Sequence, residues 1–151
     1  MWFLNMKLIY CFIISIFIIS CSNANKSQHS ERFDKAMNKY FGKYNFVYND
    51  LSARGGANNY SQLGYLKIKK NELSNKDIKI IYDKLLKDGW RLVYNEKKYK
   101  EFCFGKDFKI GILFPTQYKE NLLTGDFIVV NSIDEWNISL FYDRNEILVC
   151  E

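Results

Sequence analysis

At Gly89 the hydrophobic period of the chain changes. Before it, Ile78, Ile81, Tyr82, Leu85 and Leu86 recur at three- and four-residue spacing, the stripe of an amphipathic helix. After it, Trp90, Leu92 and Tyr94 alternate with Arg91, Val93 and Asn95, and period two continues towards the carboxyl end. A chain that turns from helical to strand patterning without returning does not build repeating βαβ units. It is expected to lay its helices on an antiparallel sheet.

The remaining elements fit that plan. Ser74 is placed to cap the helix over 74–88, with Asp77 as a short-armed capping-box partner and Gly89 as the left-handed stop. An earlier helix begins near Ser30. Phe33, Ala36, Met37, Tyr40 and Phe41 share one face of it, and Gly42 ends it. Residues 45–49 and 63–70 read as strands. From Trp90 onward strands are expected at 90–95, 99–104, 108–114, 126–132, 136–142 and 146–150. The segments 126–132 and 136–142 are expected to form a hairpin with residues 133–135 near its tip. The expected fold is α+β, a single domain with a curved antiparallel sheet and two helices packed on one face.

The amino-terminal segment is of another kind. Leu8 to Ile19 is apolar except for Ser15, too short for a spanning helix, which needs roughly 20 residues. Lys7 precedes it and small polar residues follow, the layout of a secretory signal. Met6-Lys7 makes a better signal start than Met1. The end of the run, Ile18-Ile19-Ser20-Cys21, resembles the lipobox of bacterial lipoproteins. The resemblance covers about the first 21 residues. It implies cleavage after Ser20, a diacylglycerol on the Cys21 sulfur and an acylated amino group there. Two or three chains give a lasting anchor where one does not. Ser22, where an inner-membrane retention signal has aspartate, implies an outer-membrane protein facing the periplasm. The expected organisation is a signal peptide at 1–20, a tether at 21–29 and a globular domain at 30–151.

Removal of the first 20 of 151 residues leaves 131, enough for one self-sufficient core. Eleven Tyr and twelve Phe supply its large apolar groups. Cys11 leaves with the signal and Cys21 takes the lipid, so Cys103 and Cys150 remain as an even pair in an oxidising compartment, where a disulfide is expected. Charge is uneven: residues 21–61 carry +3, residues 62–120 carry +6 and residues 121–151 carry −5.

Chemistry is harder to find. The one histidine, His29, lies in the tether, which argues against His-based triads and most zinc sites. The patterns G-x-S-x-G, H-E-x-x-H and G-x-G-x-x-G are absent from the sequence. Asp126, Asp134 and Glu135 are the acids a paired-carboxylate site would draw on, but Asp134 and Glu135 fall at an expected turn. On these grounds no catalytic residue, cofactor or metal is expected. No nucleic-acid partner is expected either, because the pI of 8.9 is only mildly basic and the aromatics alternate as core residues do.

In layout alone the chain is similar to the periplasmic lipoprotein immunity proteins of type VI secretion toxins: a lipobox, about 120 mature residues, α+β patterning and no active site. That likeness implies a protein partner, a secreted toxin whose cleft is occluded. The expected contacts are Asp134 and Glu135 with Trp136 as anchor, and the Gly-rich loop from Arg54 to Tyr60. The alternative is a structural or assembly lipoprotein of an envelope machine, using the basic stretch 62–110.

Overall fold

A computed structural model describes residues 28–54 and 60–151. The segments expected as signal peptide and lipobox, Cys21 included, and residues 22–27 of the expected tether lie outside the described residues. Helix α1 (Gln28–Phe41) leads into β1 (Phe46–Arg54) and β2 (Ser61–Lys69), followed by α2 (Asn75–Lys87). Strands β3 (Arg91–Asn95), β4 (Tyr99–Phe104) and β5 (Phe108–Leu113) form a meander. Two short strands, β6 (Lys119–Asn121) and β7 (Phe127–Val129), precede the long β8 (Glu135–Asp143), and a 3₁₀ turn at Leu148–Cys150 closes the chain.

Each helix buries the stripe its spacing announces. Phe33, Ala36, Met37, Tyr40 and Phe41 of α1 are all buried, as are Ile78, Ile81 and Leu85 of α2. Leu86, expected in the same stripe, faces solvent instead. The Ser74 hydroxyl accepts from Asp77 N at 3.1 Å and donates to its carboxylate at 2.7 Å, satisfying one orphan amide of α2. At the other end Trp90 N reaches Leu85 O and Gly89 N reaches Leu86 O, both at 3.1 Å. These paired bonds are a Schellman stop, and they need the positive φ of +92° that Gly89 adopts.

The main sheet is entirely antiparallel, in the order β1-β2-β8-β5-β4-β3, and it is curved without closing into a barrel. The last strand therefore sits in the middle. It pairs with β2 through Leu66↔Ile138 and with β5 through Ile112↔Ile138. Register places Leu66, Ile138, Ile112 and Phe102 on the face that meets both helices in one core. Gly64 leaves room there for the Tyr48 ring, since a Cβ would lie 2.5 Å from the Tyr48 oxygen.

The opposite face holds a different set. Tyr99 crosses Gly111 and donates to Glu101 at 2.6 Å, and Lys109 meets the same carboxylate at 2.9 Å. Cys103 points to this side. It is bonded to Cys150, which with Ile147, Val93 and Phe141 forms a second small core.

Two sequence expectations are corrected here. Residues 126–132 do not pair with 136–142: β7 pairs with β6, and β8 is flanked on both edges by the main sheet. The reason is burial. Trp136, Ile138, Leu140 and Tyr142 are all nearly inaccessible, which a strand achieves at a sheet's centre rather than in an outlying hairpin. The last segment, expected as a strand at 146–150, is a 3₁₀ turn beneath β3 and β4. There Ile147 N bonds Lys106 O at 2.7 Å, and the Arg91 guanidinium donates to Cys150 O.

Candidate interaction surface

The strands β6 and β7 form a two-stranded finger that leaves the sheet after β5 and returns before β8. Its turn is made by Leu122 to Asp126, where Leu122 N bonds Asp126 O at 2.8 Å and Gly125 takes a φ of +88°. Thr124 Oγ1 donates to the Asp126 carboxylate at 3.0 Å, the local turn chemistry expected of such residues. Apolar side chains cover the finger's outside: Tyr118 is 62% exposed, Leu123 88%, Phe127 56% and Val129 65%. Lys119 lies over the Phe127 ring, its Nζ 3.9 Å from the centroid.

The root of the finger is held by a buried carboxylate. One Glu120 oxygen accepts from Thr116 N, from Thr116 Oγ1 at 2.9 Å and from Gln117 N at 2.9 Å. The other accepts from Lys98 Nζ at 3.0 Å. Burial by itself would raise the Glu120 pKa. The hydrogen bonds from Thr116, Lys98 and Gln117 outweigh it and bring the carboxyl down to about 2. Higher on the finger, Leu123 N donates to Glu96 Oε1 at 2.6 Å. Lys98 and Glu96, the partners in these two contacts, both belong to the β3–β4 turn, so the finger is tied to the sheet at two points besides its own ends.

The contacts expected from sequence fall at opposite ends of the sheet. β2 pairs with β8 from Ser61↔Asp143 to Lys69↔Glu135, a separation of roughly 27 Å at strand rise. Tyr60 stands at the first end, half-buried, its ring 6.4 Å from Tyr142. Residues 55–59 and the Arg54 side chain lie outside the described residues. Asp134 and Glu135 stand at the second end, the end from which the finger emerges. They are not a hairpin tip. Asp134 O accepts from Lys70 N at 2.9 Å, and a shallow depression joins both acids to Lys69 and Lys70, so lysines offset the acidic pair locally.

Trp136 does not serve as an exposed anchor. It is only 3% exposed, its indole N–H donates to Leu73 O at 2.8 Å, and its ring packs 4.7 Å from Phe114. The sequence expectation fails there because a tryptophan opening a strand looks the same whether the strand is central or outlying. The finger escaped sequence reading for a related reason. Phe127-Ile128-Val129-Val130 is an apolar run, which reads as a buried strand. Thr124-Gly125-Asp126 was the available sign of a tight turn just before it.

Two recesses flank these elements. A groove of about 500 Å³ runs between α1 and the β4–β5 turn, floored by Trp90, Phe104 and Phe108. The cations on its rim are engaged: Arg32 with Asp107, Lys35 with Glu31 and Lys39 with Asp88. A second hollow of about 450 Å³ lies at the foot of the finger, between α2 and residues 97–100. Among the described residues no cluster of His, Cys, Asp or Glu is placed to hold a metal, and no helix is long and apolar enough to cross a membrane. Comparison with known proteins returns no match, whether against family models, curated proteins or solved structures.

Proposed function

We propose that this chain is a lipid-anchored periplasmic binding protein that occludes a protein partner, with an immunity protein against a secreted antibacterial toxin as the specific reading. The observation that carries it is the β6–β7 finger. Four large side chains are held out to water on an element whose root is fixed by Glu120. Exposing them is unfavourable for a protein that works alone, and a braced apolar protrusion is suited to entering a cleft. Pre-organisation by Glu120 and Glu96 lowers the ordering cost of binding. The lipobox resemblance and the Cys103–Cys150 pair support an oxidising, membrane-proximal setting.

The test places a photo-crosslinking amino acid at Leu123 of the full chain in cells, with a second at Lys35 on α1 as control. A single adduct at Leu123 with a secreted hydrolase, whose activity the purified chain abolishes at one-to-one stoichiometry, is the expected result. The Leu123→Asp variant should weaken that inhibition at least tenfold while leaving stability within about 0.5 kcal/mol, because the side chain is almost wholly exposed. Adducts with envelope-machine components would replace the inhibitor reading by the assembly one. Equal crosslinking at both positions would remove the finger from the account.

A further inference from the structure

The hollow at the foot of the finger differs in composition from the groove beside α1 and from the depression at Asp134 and Glu135, both of which include acids. Four lysines line it: Lys79 from α2, and Lys97, Lys98 and Lys100 from the β3–β4 turn and the start of β4. No acidic residue lines it. Lys98 is engaged by Glu120 and by the Thr116 hydroxyl, and Lys100 donates to Asn95 Oδ1. The Lys79 and Lys97 ammonium groups have no hydrogen-bond or ion-pair partner among the described residues. The wall behind them is aromatic and apolar, made by Tyr82, Phe114, Ile78 and the edge of Trp136.

Sequence distance makes this juxtaposition informative. Lys79 and Lys97 belong to separate elements, and the crossover from α2 to β3 followed by the turn into β4 brings them to one recess. Like charges gathered against a low-dielectric wall repel one another, and their field is focused into the hollow. An anion entering there relieves the repulsion. A volume of about 450 Å³ is ligand-sized, and it exceeds what a bare phosphate or carboxylate fills. The apolar wall therefore calls for a body attached to the anionic group. Tyr82 is stacked on Phe102 at 5.5 Å, so the wall is fixed from behind by the core.

We propose that this hollow is a binding pocket for a small anion, a phosphate or carboxylate, carried on an aromatic or compact apolar body. The charged group meets Lys79 and Lys97, and the body lies against Tyr82 and Phe114. The pocket is separate from the exposed face of the finger, and its occupancy does not depend on the identity of any protein partner.

The test titrates the full chain, labelled with ¹⁵N, with phenyl phosphate, and with inorganic phosphate for comparison. Saturable shifts confined to the amides of residues 78–82, 97–100, 114, 116 and 117 are expected, with phenyl phosphate at least tenfold tighter than inorganic phosphate. The Lys79→Glu/Lys97→Glu variant should weaken phenyl phosphate at least tenfold, and Lys35→Glu on α1 should leave it unchanged. Binding in the native chain should also weaken as salt is raised. Shifts spread over lysines across the whole surface, or none that saturate, would overturn the pocket. Equal affinity for the two probes would overturn the role of the aromatic wall. Should the double variant unfold, the native chain's shift map and probe preference decide the matter.

Discussion

Four donors converge on the Glu120 carboxylate, and its protonation is the residue-scale event with the widest structural reach. Its pKa is brought from an ordinary 4.5 to about 2, so the folded state favours the charged form. The stability this contributes is fully present above pH 4.5 and is lost as pH falls towards 2. The thermal midpoint of the native chain should therefore fall as pH is lowered through that window. Glu120→Gln, which keeps one acceptor but no charge, should lose on the order of 2 kcal/mol at neutral pH and flatten the acid response. Identical acid slopes for the two proteins would exclude Glu120 as the source. A second residue-scale contact ties α1 to the connection between α2 and β3: Trp90 Nε1–H donates to the Tyr40 hydroxyl at 2.9 Å, which donates to the Asp88 carboxylate at 3.0 Å. Tyr40→Phe leaves the buried indole N–H without its acceptor and should cost ~1–3 kcal/mol in denaturant unfolding.

At the scale of elements, α2 was legible almost to the residue. Ser74, Asp77 and Gly89 act through bonds to their near neighbours, and local chemistry of that kind survives any tertiary context. Gly89→Ala should cost ~1–2 kcal/mol, because a Cβ is strained at that positive φ, and the loss should appear as lowered thermal stability with the helix otherwise intact. Strands were legible as strands, but their partners were not. Alternation states which side chains share a face and is silent on which strand lies alongside. The pattern of β8 suits either a hairpin with 126–132 or the slot between β2 and β5, and only the full sheet separates these.

At the scale of the whole molecule, the Cys103–Cys150 bond ties the chain end to the reverse face of an interior strand. It closes a loop with a sequence separation of 47 and buries both sulfur atoms. Replacing both cysteines by serine should reduce stability by about 2–4 kcal/mol and raise the denaturant slope, because the unfolded chain without its cross-link exposes more surface. The intact protein should gain the mass of two hydrogens on reduction. Immediate free-thiol labelling without reductant would contradict the bond. The charge segments drawn along the chain also change meaning once folded. The acids at 134 and 135 come to lie beside Lys69 and Lys70, so a net charge of −5 over residues 121–151 does not make an acidic surface there.

What the sequence determined by itself was local: two helices with their stripes and caps, an antiparallel sheet on their account, and a cysteine pair for a disulfide. Each follows from the period of apolar residues, from short-range hydrogen bonding, or from counting thiols. The tertiary structure alone decided that the final strand is central, that Trp136 is core and that residues 119–129 stand out as a finger. It alone gathered Lys79, Lys97, Lys98 and Lys100 around one hollow. Those outcomes depend on which distant segments meet. An apolar residue's exposure is set by the partner that covers it or fails to, and no window of neighbouring residues contains that partner.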